Sequence, residues 1–137
     1  MKRRDQALLL LGKAAQDEAL LDQVLTSEQV SDEIIGFHCQ QAAEKILKAL
    51  LSDIGVRIRK THEIGRLMSL VAEAGHALPA EFADLDALTP FGAIYRCEDY
   101  EAPVSLDRTA ARRILRQLRL WVESKLQERT PPASTVG

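Results

Sequence analysis

The chain has 137 residues, enough for one domain that buries roughly two thirds of its unfolded surface in a single core. Hydrophobic residues make up 46% of the sequence and charged residues 28%, but aromatic residues only 4%, which favours helices over strands. The net charge of −2 excludes a uniformly basic surface for nucleic acids. Since no apolar run approaches the roughly 18 residues that cross a bilayer, we expect a soluble, cytoplasmic protein.

Cysteine and histidine usage gives no sign of a metal site. Cys39 and Cys97 form no CxxC motif, and the three histidines complete no zinc-binding pattern. We therefore expect reduced thiols that pack as small apolar side chains, and neither a metal ion nor a cofactor.

The first predicted helix spans residues 4–25. Its apolar residues recur at helical spacing: Ala7, Leu11, Ala14, Leu21 and Leu25. The four consecutive leucines Leu8–Leu11 point all around this helix, so one core cannot bury them all. Either a subunit interface or neighbouring helices of the same chain must cover the outer side.

The second predicted helix starts near a capping residue at Ser31, ends at Gly55 and has two unlike faces. An apolar arc about 160° wide contains Ile35, Cys39, Ala42, Ala43, Ile46, Leu47, Ala49, Leu50 and Ile54. The other side carries a polar stripe within about 80°, made of His38, Gln41, Lys45, Lys48 and Ser52. This stripe is either a binding site or a solvated helix face.

Two shorter helices are predicted next, after the basic connector 56–60. Thr61 is the predicted N-cap of a third helix that Gly75 ends, which places His62 in the first helical turn. His62 is then either a packing and capping residue or part of a site. After Pro79, residues 80–88 form a short acidic helix that Thr89 and Pro90 end.

Aromatic and charged residues gather in the segment 91–101. Phe91, Tyr95 and Tyr100 lie here together with Arg96, which has three acidic neighbours within five residues. Arg96 is either held in local ion pairs or faces a pocket in which its planar guanidinium binds phosphate or carboxylate.

A last long helix begins after Ser105–Asp107 and extends to about Gln127. We predict that its core side comprises Leu106, Ala110, Ile114, Leu118 and Val122 or Trp121. Arg108, Arg112, Arg116 and Arg119 form a second basic stripe, which we interpret as a solvated face. Residues 129–137 are rich in proline and polar residues and are expected to be a disordered tail. The sequence thus predicts an all-α protein, with residues 1–128 folded as an antiparallel up-and-down bundle of about five helices.

Three stretches in this order resemble the HEPN domain family (higher eukaryotes and prokaryotes nucleotide-binding): Phe37–Leu51, Thr61–Ile64 and Tyr95–Cys97. The resemblance covers residues 5–127. It implies a five-helix bundle that forms a homodimer, which would cover the leucines of the first helix. It also implies a partner, because members are often encoded beside a minimal nucleotidyltransferase in a two-component, toxin–antitoxin-like system.

Many members of this family are metal-independent ribonucleases in which an arginine is followed four to six residues later by a histidine. Arg96 matches the arginine, but Tyr100, Glu101 and Ala102 stand at the histidine positions. We therefore expect a non-catalytic module that binds a nucleotide, RNA or the nucleotidyltransferase, with no DNA specificity and no membrane. The expected ligand-binding residues are Arg96, His38, Gln41, Lys45, Lys48, His62 and Tyr95. The alternatives are a ribonuclease whose histidine is displaced to His38 or His62, and a dimeric scaffold without a ligand.

Overall fold

A computed structural model of the chain describes residues 3–58, 60–93 and 105–129. It contains four α-helices, α1 (Arg3–Val24), α2 (Asp32–Ile54), α3 (Ile64–Glu73) and α4 (Arg108–Glu128), and one 3₁₀ helix, Ala80–Ala93, between α3 and α4. The described ranges contain no strand, so the predicted all-α bundle of five helices is confirmed. None of the described helices is long and apolar enough to span a membrane. Of the predicted tail, only Arg129 lies within the described residues.

Helix α2 lies at the centre of the bundle and packs against all four other helices. Its predicted apolar arc is confirmed, since every member is buried except Ile54, which is partly buried. Gln40, Glu44, Leu51 and Asp53 are also buried. Because neighbours surround α2 on most sides, several of its polar residues need partners inside the protein.

The predicted ends of α2 are confirmed as well. The Ser31 hydroxyl accepts a hydrogen bond of 3.3 Å from the amide of Ile34. Gly55 has a φ of 90°, a left-handed conformation that glycine adopts without steric cost, and its amide donates to the carbonyl of Leu51 at 3.0 Å.

The prediction that Thr61 caps α3 is wrong, because the helix begins at Ile64. Its first amide, that of Ile64, donates to the hydroxyl of Thr89 at 2.9 Å, so the cap comes from the 3₁₀ helix rather than from the preceding residues. The next amide, that of Gly65, donates to Asp86 at 2.7 Å. His62 therefore lies in the connector before α3 and not in its first turn.

The 3₁₀ helix also differs from the short α-helix predicted over residues 80–88, since it continues past Pro90 to Ala93. Its buried side chains recur every three residues: Phe82, Leu85, Leu88 and Phe91. Three is the number of residues per 3₁₀ turn, so this spacing places one apolar edge against the core. The ring of Phe91 lies against α2 at Gly36, where any Cβ would overlap it.

The interpretation of the α4 arginines as a solvated face is wrong for three of the four. Arg108 donates to Asp32 at 2.7 Å, Arg112 to Asp22 at 2.6 Å, and Arg119 to Glu18. Only Arg116 of the stripe is exposed. The acidic partners lie on α1 and at the start of α2, so the arginines tie α4 to these helices. The buried side of α4 is also centred differently from the prediction, on Ala111, Leu115, Leu118, Val122 and Leu126.

The described residues include three buried carboxylates, and two of them hold helix ends and helix pairs together through arginine. Glu18, 5% exposed, accepts from both Arg112 and Arg119. Asp53, 7% exposed, accepts from Arg4 at 2.7 Å and Arg129 at 2.9 Å, which joins the two ends of the described chain. The hydrogen bond from Arg4 outweighs the effect of burial and holds the pKa of Asp53 below its ordinary value.

Replacing the buried Glu18 is expected to destabilise the fold strongly. Glu18→Gln should lower the free energy of unfolding by about 3 kcal/mol, because two largely buried guanidinium groups lose their shared charge partner. Chemical denaturation measures this change. Glu123→Gln is the matched control, since Glu123 contacts the same Arg119 at 3.7 Å from an exposed position, and should change stability by less than about 0.5 kcal/mol. Equal effects of the two variants would contradict this account of Glu18.

Candidate functional site

The third buried carboxylate, Glu44, is the centre of a hydrogen-bonded cluster. Its Oε1 accepts from Gln40 Nε2 at 2.8 Å and from His62 Nδ1 at 3.0 Å, and its Oε2 accepts from Lys48 Nζ at 2.8 Å. Gln40 also accepts from the side-chain amide of Gln41 at 2.8 Å. We call these five residues, Gln40, Gln41, Glu44, Lys48 and His62, the Glu44 cluster.

The backbone explains why this cluster forms. Residues 40, 44 and 48 follow one another at i,i+4, so their side chains lie in one row along α2. The connector between α2 and α3 brings His62 to this row, and the backbone carbonyl of His62 accepts a second bond from Gln40 Nε2 at 3.1 Å. Gln40 therefore holds both the connector, through the His62 carbonyl, and the carboxylate of Glu44 in place.

Glu44 is ionised at neutral pH in this environment. Burial raises the pKa of Glu44, but the hydrogen bonds from Lys48, Gln40 and His62 outweigh it and hold the pKa below its ordinary value. An ionised carboxylate has no proton to donate, so His62 Nδ1 carries the hydrogen of their shared bond. The imidazole is thereby oriented, with 49% of its side chain exposed, and Nε2 is left for other contacts.

A second carboxylate, Asp17 of α1, holds two further residues of the predicted stripe. His38 Nδ1 lies 3.1 Å from Asp17 Oδ1, and Lys45 Nζ donates to Asp17 Oδ2 at 2.6 Å. The stripe is therefore divided between two carboxylates. Lys48 and His62 meet at Glu44, which Gln41 reaches only through Gln40, whereas His38 and Lys45 link α2 to α1.

The other two predicted site residues, Tyr95 and Arg96, lie outside the described residues. The chain that leads to them passes directly against the Glu44 cluster, since a Cβ on Gly92 would lie 2.8 Å from the side-chain amide carbon of Gln40. At Gly92 the 3₁₀ helix thus approaches the cluster so closely that a side chain would not fit without a shift of Gln40.

Sequence reasoning missed Glu44, Gln40 and Asp17. For the first two a signal was present, because Gln40, Glu44 and Lys48 have the i,i+4 spacing of side chains that interact on a helix. Asp17 had no such signal, since its partners are 21 and 28 residues away.

Among the described residues, no group of three or more His, Cys, Asp or Glu side chains could hold a metal ion. Cys39 is buried, and burial raises the pKa of its thiol to about 12. Since the thiolate is the reactive form, Cys39 is not a nucleophile at neutral pH. Cys97 lies outside the described residues.

The HEPN domain profile matches residues 10–127. This chain belongs to the HEPN family. Membership in this family supports the interpretation of the chain as a nucleotide-binding or ribonuclease-like module, and HEPN domains often dimerise. No curated protein and no solved structure matches the chain.

Removing the charge of Glu44 is expected to destabilise the HEPN domain in a pH-dependent way. Glu44→Gln should lower the free energy of unfolding by about 2 kcal/mol at neutral pH, because Lys48, Gln40 and His62 lose a charged acceptor. Since the pKa of Glu44 is lower in the folded than in the unfolded protein, its ionised form stabilises the fold fully above the ordinary value of 4.5. This stabilisation is lost as the pH falls through the folded pKa.

Denaturant unfolding across a pH series tests this expectation. The gap between wild type and Glu44→Gln should narrow as the pH falls below 4.5. Glu63→Gln, at an exposed neighbour of His62, is the control and should stay within about 0.5 kcal/mol of wild type. A gap that is independent of pH would show that Glu44 is not the ionised centre of the cluster.

Proposed function

We propose that this HEPN domain binds a phosphate of a nucleotide or RNA at the Glu44 cluster and does not cleave its ligand. The single observation that carries the proposal is the choice of partners around the buried carboxylates. Glu18 and Asp53 pair with arginines that bridge helices, whereas Glu44 pairs with Lys48 and His62. The ammonium of Lys48 has three N–H donors and gives one to Glu44, so it can donate to a phosphate as well.

Arg96 and Tyr95 complete the proposed site. Gly92 lies against Gln40, and a stretch of four residues spans at most about 14 Å. Arg96 is four residues from Gly92 in the sequence, and a guanidinium binds phosphate through two parallel hydrogen bonds. Tyr95 offers a ring and a hydroxyl to the base or sugar.

His38 and Lys45, held by Asp17, are the next residues of the same α2 stripe and extend the proposed binding surface. In this proposal their main task is to keep α1 against α2, and their remaining donors contact the ligand at the edge of the site. Variants at these two positions should therefore affect stability more than affinity.

The geometry of His62 supports a second candidate function, metal-independent RNA cleavage. Glu44 orients the imidazole through Nδ1 at 3.0 Å, the arrangement by which a carboxylate prepares a histidine to act as a general base. His62 Nε2 would take the proton of a ribose 2′-hydroxyl, whose oxygen forms a bond to phosphorus while the bond to the 5′-oxygen breaks and that oxygen takes a proton from water. In this way His62 would replace the histidine that is absent after Arg96.

One set of variants tests both functions. Calorimetric titration with AMP and ATP should give saturable binding to wild type, at least tenfold weaker binding to Lys48→Gln, and unchanged binding to the control Lys125→Gln on α4. No binding of either nucleotide to wild type would overturn the proposal. Incubation with total RNA in the presence of EDTA should give no cleavage, whereas cleavage that His62→Ala abolishes would establish the ribonuclease instead.

We further propose that the domain forms a homodimer through the outer face of α1. Leu8, Leu9 and Leu20 are among the exposed large apolar side chains of this protein. The exposed residues between Asp5 and Asp22 carry a single charge, Lys13, and the rest are apolar, small or amide residues. A second copy suits this face because it carries one charge only and is self-complementary: antiparallel α1 helices place leucines against small residues.

Gly12, near the middle of this face, has open space around it, so a second backbone can approach closely. Leu8→Glu should therefore convert a dimer into a monomer in light scattering, since it buries an unpaired charge. Leu120→Glu is the control, because Leu120 on α4 is as exposed, at 60% against 55% for Leu8, and should leave the dimer intact. A monomeric wild type, or a dimeric Leu8→Glu variant, would contradict this interface.

The partner of the proposed module is a minimal nucleotidyltransferase, in a two-component, toxin–antitoxin-like system. Family membership alone supports this partner. Light scattering of this protein mixed with such an enzyme would show whether the two proteins form a complex, and two separate species would count against this partner.

A further inference from the structure

A groove of about 550 Å³ lies between the start of α1 and the connector that follows α2. Its volume is within the roughly 300–1,000 Å³ of typical ligand sites. Residues from three stretches of chain line it: Gln6, Leu10, Lys48, Ser52, Gly55, Val56, Arg57, Ile58 and Lys60. Lys48 also belongs to the Glu44 cluster, so the groove begins where the cluster ends.

The groove is strongly positive. Among the described residues that line it, Lys48, Arg57 and Lys60 are basic and none is acidic, although Lys48 also pairs with Glu44. Arg3 adds a fourth cation at the rim, because its guanidinium lies so close to Gly55 that a Cβ there would overlap it. Cations gathered around a concave surface repel one another and attract an anionic ligand.

These cations differ from the other basic residues of the fold. Arg4, Arg108, Arg112 and Arg119 are each held by a carboxylate of another helix. Within the described part of the chain, Arg57 and Lys60 form no ion pair, and both are exposed. Their charges are therefore not used to hold the helices together.

The other residues that line the groove suit the sugar–phosphate backbone of a nucleic acid better than its bases. Leu10, Val56 and Ile58 offer partly buried aliphatic surface, and the described residues that line the groove include no aromatic ring on which a base could stack. The hydroxyl of Ser52 adds a donor next to Lys48. A surface with several cations and no stacking ring suits consecutive phosphates and sugars.

We propose that this groove binds the sugar–phosphate backbone of a single-stranded RNA, one nucleotide of which occupies the Glu44 cluster. Lys48 is the shared residue, which contacts the phosphate at the junction, and Arg57 and Lys60 contact the following phosphates. This inference rests on the proposed function for the nucleotide at the cluster, and it adds the class of ligand and the direction in which the strand leaves.

The test compares AMP with a short oligoadenylate over a series of salt concentrations. The variant Arg57→Gln/Lys60→Gln should bind AMP as wild type does. For oligoadenylate, the affinity of this variant should fall less steeply with salt than that of wild type. The magnitude of the slope of log K against log salt should be smaller by roughly 1.4, because each lost contact to a single strand contributes about 0.7. Arg66→Gln/Arg113→Gln removes the same charge from exposed positions outside the groove, and its slope should match wild type.

The outcomes separate this inference from the proposed function. If AMP binds but the groove variant keeps the wild-type slope with oligoadenylate, the groove is not a strand site and the nucleotide site stands. If oligoadenylate binds through Arg57 and Lys60 while AMP does not bind, the groove is supported and the nucleotide site is overturned. Equal slope changes in the groove and control variants would show only a general effect of charge and would overturn the proposal that the groove binds the strand.

Discussion

The other four helices enclose α2 and remove the carboxylates around it from water. Each of these carboxylates therefore needs a cationic partner inside the protein. An unpaired carboxylate that is removed from water costs several kcal/mol. Glu18, Glu44 and Asp53 are the buried carboxylates of the described chain, and each accepts hydrogen bonds from two arginines or, at Glu44, from Lys48 and His62. Much of the arrangement of α1, α4 and the connectors follows from these pairings.

The same requirement separates structural positions from the functional candidate. Arginine suits the interhelical positions because its planar fork binds one carboxylate with two N–H groups and also reaches backbone carbonyls, as Arg4 does with Asp53 and Leu126. Lysine and histidine at Glu44 keep donors and an exposed ring nitrogen for a further partner. A fold that needs Glu44 to be paired thus also presents an oriented imidazole and an ammonium at its surface.

The sequence predicted the elements that depend on local spacing and missed those that depend on contacts between distant residues. The apolar arc of α2, its Ser31 cap and its Gly55 end follow from helical periodicity and from residue conformation. The arginines of α4 could not be placed, because periodicity shows which side of a helix is polar but not whether another helix supplies carboxylates. The apolar residues from Phe82 to Phe91 recur every three residues, which is the period of a 3₁₀ helix. The predicted helix of residues 80–88 does not take this period into account. In the candidate site, Lys48 and His62 converge on Glu44 and Gln41 joins them through Gln40, and no apolar pattern marks Glu44 or Gln40.

In the proposed function, a ligand phosphate binds beside Glu44, and the carboxylates paired with arginine are purely structural. The most direct measurement is an NMR titration with AMP that follows the side-chain amides of Gln40 and Gln41 and the imidazole of His62. Saturable shifts of these signals, with little change around Glu18 and Asp53, are the predicted result. Shifts confined to the surroundings of Glu18 or Asp53, or no shift at the three cluster residues, would contradict the claim.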